Sequence, residues 1–240
     1  IAERAASAHD GYRGLPNLTA QEVAGITQEV LLHGSALAIR DKALLTTGWY
    51  SALRRSTLVG LNWEDITIDK KARLATLLIR RSKTDQYGQG STRYLPGVPE
   101  DSQDPDPYQH VLLWRAAYAQ LAGVAEDELS GPVFPVLTRG GTLRLDRGNN
   151  IMRLDGDSVN KIVADYAAQA GLEADDASGS GYGSHSLRVG FVTTALRDDV
   201  LTVPEVADVT GHKDMRVLMG YRREANAAKD SPASKLLRKR

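Results

Sequence analysis

The chain has 240 residues and a mass of 26.0 kDa, enough for one large domain or two small ones. Its composition, 42% hydrophobic and 25% charged, is that of a soluble globular protein. The lack of cysteine excludes disulfides and thiolate metal sites and fits a reducing, cytoplasmic compartment. There is no apolar run long enough to span a bilayer and no N-terminal signal sequence, which argues against a membrane partner.

Formal net charge is zero, but the charges are blocked. Residues 54–100 hold nine Lys/Arg against five Asp/Glu, residues 211–240 nine against three, and residues 101–130 one against six. Two basic blocks and an acidic one can fold into a positive face with a negative back. A neutral average therefore leaves nucleic acid open as a partner and confines any affinity to a patch.

In chain order, residues 1–17 are polar and contain Gly and Pro without a period, which reads as a linker or tail. Thr19 is placed to cap a helix through Val23, Ile26 and Val30. A second helix is expected in ALAIRDKALLTTGWYSAL and a short one in STLVGL. DITID, RLATLLIRR and STRYLPG then read as strands of a small antiparallel sheet. After the acidic loop EDSQDPDP, helices are expected in YQHVLLWRAAYAQL, DSVNKIVADYAAQAG, HSLRVGFVTTALRDD, VPEVADVTG and DMRVLMGYRRE, with a short terminal one in SPASKLLRKR. The fold class is α+β, mainly helical, with the sheet in the first half.

Five features carry chemistry. Arg54, between Leu53 and an apolar helix face, is either a solvated helix-end arginine or an inward guanidinium that requires an anion, for which its planar fork suits a phosphate. Lys83 enters a glycine-containing turn. It is either simply exposed or carried on a mobile tip to protonate a leaving oxygen. His185 and Arg188, three apart at a helix start, share one face. His212 follows the glycine of TGHK, as an exposed residue of a C-capping turn or as a ligand of the same site. Tyr221 stands on the next helix, which Asp214 is placed to cap, with Met215, Val217, Leu218 and Met219 as an apolar stripe.

Taken together and in this order, the set closely resembles the tyrosine recombinase (phage integrase) family. The matching stretches are LRRSTLVGLNWEDI, SKTDQ, GSHSLRVG, TGHK and GYRRE, and the resemblance runs from Leu18 to Arg222. It implies the catalytic-domain fold over residues 18–240, without the N-terminal core-binding domain that usually accompanies it. It makes Arg54 and Arg188 the paired arginines, Lys83 the hairpin lysine, His185 and His212 the two histidines and Tyr221 the nucleophile. One position departs: Thr57 stands where many members carry an acid three residues after the first arginine.

By this resemblance Tyr221 attacks a DNA phosphate, leaving a 3′-phosphotyrosyl link and a free 5′ hydroxyl, without metal, ATP or other cofactor. The implied partner is double-stranded DNA, bound by a homotetramer with accessory DNA-bending proteins. Three rivals are weighed: a type IB topoisomerase with a similar residue set, a DNA-binding assembly module without catalysis, and a metal-dependent hydrolase built on His185 and His212.

Overall fold

A computed structural model describes residues 18–31, 35–80, 90–172, 181–231 and 234. Helix α1 (Ala20–Leu31) starts where the Thr19 hydroxyl accepts from the Glu22 N–H at 3.3 Å and Glu22 Oε2 accepts from the Thr19 N–H at 2.7 Å. This reciprocal pair satisfies two of the donors that a helix start leaves unpaired.

Ser35 caps α2 (Ala36–Tyr50), which is buried on almost every side. The buried positions include Arg40, Asp41, Lys42, Thr46 and Thr47, so the helix runs through the centre of the core although its sequence is not uniformly apolar. Arg40 and Asp41 pair at 2.6 Å, and Arg40 Nη1 donates to the Pro135 carbonyl at 3.1 Å. Tyr166 donates to Asp41 at 3.3 Å. Burial nevertheless dominates at Asp41 and pushes its carboxyl pKa up against the pull of Arg40. The helix stops at Tyr50, three residues before the sequence suggests, because Ser51 caps it and Ala52 turns to a left-handed φ of 48°.

After α3 (Arg55–Gly60), three strands form an antiparallel sheet in the order β1 (Ile66–Asp69), β2 (Leu74–Ile79), β3 (Ser91–Pro96). The register pairs Ala75 with Leu95 and Leu77 with Arg93. The period of two sends Ala75, Leu77, Ile79 and Leu95 inward and leaves Leu78 and Tyr94 on the exposed face. Asp106 caps α4 (Pro107–Ala122), with proline in the first turn and left-handed Gly123 at the end.

Residues 131–154, where no helix or strand was expected, are held by isolated antiparallel bridges between residue pairs such as Pro135 and Arg153. The Trp114 indole donates to the Val133 carbonyl at 2.7 Å beneath them. Helices α5 (Gly156–Gln169), α6 (Ser184–Leu196), α7 (Val203–Thr210), α8 (Met215–Ala225) and α9 (Ala227–Asp230) complete the described chain. The expected tail over 1–17 and most of the expected terminal helix lie outside the described residues. Among the described residues no helix is long and apolar enough to cross a membrane.

Two apolar clusters organise these elements. The larger one joins α1 to α5, the sheet and the first half of α6 around Leu44, Leu58, Leu77, Trp114, Phe134 and Leu187. The smaller consists of Val192, Ala195, Leu196, Val206, Ala207 and Leu218, and it holds α7 and α8 against the second half of α6. Between them, Leu18 lies flat on α6: its N–H donates to the Ser186 carbonyl at 3.1 Å, and the Trp49 indole donates to its carbonyl at 2.8 Å. Only a glycine allows this approach at position 190, because a Cβ there would sit 1.8 Å from the Leu18 oxygen.

Candidate active site

Three turns bring the candidate residues together. At the end of α2, left-handed Ala52 reverses the chain, buries Leu53 and sets Arg54 at the N-cap of α3. A non-glycine residue in that conformation costs on the order of 1 kcal/mol, and it persists where surroundings over-determine it. Here the Ala52 carbonyl accepts from Arg188 Nη1 at 2.6 Å.

The second turn opens α6. The Ser184 N–H and hydroxyl both donate to Asn160 Oδ1, at 3.0 and 2.6 Å, and this fixes the helix start from which His185 and Arg188 project one turn apart. The third turn ends α7 at Gly211, with φ of 67°, and releases His212 before Asp214 caps α8 by accepting from the Arg216 N–H.

Arg188 ties the first and third turns to each other. It is 5% exposed, and while Nη1 holds the Ala52 carbonyl, Nη2 holds that of Thr210 at 2.5 Å. The residue therefore spans the large cluster and the small one. Around it lies a cleft of about 390 Å³ whose lining includes Arg54, Thr57, Arg93, Arg188, His212 and Lys213, with Asp208 at an exposed position. A wider, shallower groove of about 930 Å³, beside Ile68, Lys70, Arg115 and Glu126, contains none of the candidate residues.

Burial and the two arginines act on both histidines. Burial first, then Arg188 and Arg54, pushes the His185 pKa down to about 4. His212 falls to about 4 for the same reasons, with a further contribution from His185. Both rings are thus neutral near pH 7. The Thr210 hydroxyl donates its one proton to the Val206 carbonyl at 2.6 Å and lies 2.6 Å from His212 Nδ1. Nδ1 is then the donor to that oxygen, and the neutral ring carries its lone pair on Nε2.

The cleft therefore brings together Arg54, Arg188 and His212, while His185 lies half-buried one turn from Arg188 on α6, outside that lining. Tyr221 is not among the cleft-lining residues: it sits half-buried on α8 against the small apolar cluster. Lys83 lies outside the described residues, although Ile79 and Gly90, which flank its segment, both line the cleft. Two cleft residues were missed from sequence, Arg93 and Thr210. A signal existed for Arg93, a charge in the inward register of a strand, opposite Leu77. Among the described residues no group of three or more His, Asp or Glu comes together that could hold a metal ion.

No family model matches the chain. It is, however, 30% identical over 201 residues to an integrase/recombinase XerD homolog of Selenomonas ruminantium, an alignment that covers 84% of this chain and 52% of that protein. Along most of its length the chain is thus similar to a recombinase of the tyrosine recombinase family. Solved structures of similar fold include XerH site-specific recombinase bound to palindromic difH substrate in a post-cleavage complex (TM-score 0.61, 16% identity, 91% of this chain and 54% of that one). XerA recombinase (0.54, 15%, 92% and 65%) and the Tn1549 transposon integrase with transposon right end DNA (0.52, 15%, 95% and 66%) also share it. The chain spans about half the length of the curated relative it matches. The catalytic-domain fold of a tyrosine recombinase, mainly helical around a three-stranded antiparallel sheet, is thus present here.

Proposed function

We propose that this chain is a tyrosine recombinase that cleaves and rejoins double-stranded DNA at specific sites through a 3′-phosphotyrosyl intermediate, with residues 18–240 as its catalytic domain. The observation that supports it most is the cleft itself, lined by Arg54, Arg188 and His212, with His185 one turn from Arg188 on α6. Arg54 has no ion-pair partner among the described residues, so the cleft offers positive charge to an incoming anion.

In this reading a backbone phosphate enters the cleft, and Arg54 and Arg188 neutralise its non-bridging oxygens, where charge builds in the transition state. The Tyr221 oxygen attacks phosphorus in line and the bond to the 5′ oxygen breaks. A phenol titrates near pH ~10, so attack requires removal of its proton. Neutral His185 accepts it, directly or through water, and Lys83 supplies a proton to the departing 5′ oxygen. Burial first, and then the two arginines, keeps His212 neutral, and the arriving phosphate counteracts the arginines. The ring then gains a proton on Nε2 and donates from there to a non-bridging oxygen.

Rejoining reverses these steps: a 5′ hydroxyl attacks the phosphotyrosyl link and returns the phenol. The bond energy stays in that link, so no nucleotide cofactor enters the balance. Tyr221 reaches the phosphate by movement of α8, whose one fully buried side chain is Leu218. Exchange between two duplexes takes four such sites, hence a homotetramer on DNA in the cytoplasm, with DNA-bending proteins as accessory partners.

The test uses the full chain and a nicked suicide duplex from its genomic flank. The expected result is a denaturation-resistant protein–DNA complex, formed equally in EDTA and absent from Tyr221→Phe. A complex that survives that substitution would remove the assignment of the nucleophile. Relaxation of site-free plasmid without recombinants would favour a topoisomerase.

A further inference from the structure

Arg93 has no role in the set described so far, yet it is a half-buried guanidinium on β3 that lines the same cleft as Arg54, Arg188 and His212. Its register opposite Leu77 turns it to the inward face of the sheet. Its Nη1 donates to the neighbouring Thr92 carbonyl at 2.8 Å, while its Nε is buried without a hydrogen-bond partner. No carboxylate pairs with it among the described residues, and desolvation alone acts on its pKa, pushing it down. The other arginines of this part of the sheet are arranged differently: Arg80 pairs with Asp65 and Arg73 with Asp106.

Holding a guanidinium half out of water without a counter-ion is unfavourable, and an anion bound in the cleft would supply the missing charge. The cleft opens beside this one, and guanidinium geometry matches a phosphate oxygen pair. We infer that Arg93 is a third phosphate-binding arginine of the cleft, contacting a DNA backbone phosphate from the sheet side, opposite the helices that carry Arg54 and Arg188. The inference rests on DNA being the substrate but not on Tyr221 chemistry, so the two can fail separately. As a contact to phosphate rather than to a base edge, Arg93 adds affinity and register without sequence preference.

The test compares wild type with Arg93→Met, which keeps an apolar stem, and Arg93→Lys, which keeps the charge. Equilibrium binding to a non-specific duplex is measured across a salt series. Each lost phosphate contact lowers the log–log salt slope by about 0.9. Arg93→Met should lose one such contact and bind more weakly at every salt concentration, with Arg93→Lys between it and wild type. In the DNA-free state, thermal denaturation of Arg93→Met should match or exceed wild type, because an uncompensated charge has been removed. Inorganic phosphate should raise the melting temperature of wild type more than that of the variant.

An unchanged salt slope in Arg93→Met overturns the inference. So does a melting temperature lowered by several degrees and equally raised by phosphate, which would make Arg93 structural. If wild type binds duplex with the predicted Arg93 dependence but forms no covalent complex, the phosphate contact stands and the cleavage reading falls.

Discussion

The large cluster and the small one hold different parts of the site, with different firmness. Arg54, His185 and Arg93 are mounted on elements packed around Leu44, Leu58, Leu77 and Leu187, where interior side chains surround them. His212 and Tyr221 belong to α7, α8 and their connecting turn, which rest on six buried side chains. On α8 Leu218 is fully buried, while Met215 and Met219 are 41% and 54% exposed. The apolar stripe expected there from sequence is therefore only partly used. Elements with few buried apolar contacts open at lower free energy than the core. The anion cleft is thus preorganised by the main body, and the candidate nucleophile sits on the part that moves most easily.

Arg188 joins the two regions, and replacing it should produce the largest effect. Arg188→Lys keeps the charge but cannot hold the Ala52 and Thr210 carbonyls at once. Hydrogen bonds from a charged donor are worth about 1.5–3 kcal/mol each, so a stability loss of about 2–4 kcal/mol is expected in denaturant titration. Covalent-complex formation should fall on the order of a thousandfold. Retention of both would mean that the regions are joined by something else.

A smaller effect isolates α8. Asn226, 5% exposed, donates to the Leu196 carbonyl at 2.8 Å and to the Arg222 carbonyl at 3.0 Å, and so pins the end of α8 to the end of α6. Asn226→Ala should cost about 1–3 kcal/mol through the Leu196 carbonyl left unsatisfied, since the Arg222 carbonyl keeps the backbone N–H of residue 226. Hydrogen exchange should quicken in α8 and stay unchanged in α2. Equal acceleration in both helices would erase the distinction between the regions.

A third effect is on pH. His185 and His212, with folded pKa values pushed down to about 4, titrate near 6.5 when unfolded. Between those values the unfolded chain binds more protons, so stability is full above about pH 6.5 and is lost as pH falls towards 4. His110, in the main core, is pushed down to about 3 chiefly by burial and adds to the same slope. Denaturation midpoints at pH 7.5 and 5 should therefore differ, and less so in a His185→Asn, His212→Asn double variant. Bound duplex should also flatten the profile by favouring the charged rings.

Much of this molecule was legible in sequence, for identifiable reasons. Local signals marked the elements: the Thr19 and Asp214 caps, the Gly211 stop and the strand pattern of RLATLLIRR. Arg54, Arg188 and His212, which line the cleft, were singled out from their order in the chain, whereas Arg93 and Thr210 were not. Long-range packing was not readable. Nothing local marked α2, with its adjacent Arg40, Asp41 and Lys42, as the most enclosed helix, because their burial depends on Pro135 and Tyr166 far along the chain. Arg54 and Arg188 appeared as two equivalent clamps, whereas Arg188 also joins two backbone turns, a role set by carbonyls that carry no side-chain signature.

The bare backbone contact at Gly190 has a mechanical consequence. Leu18 is bonded to Ser186, between His185 and Arg188, with no cushioning side chain at Gly190 beneath it. Tension on the polypeptide ahead of Leu18 is thus delivered straight to the turn that presents an imidazole and a guanidinium.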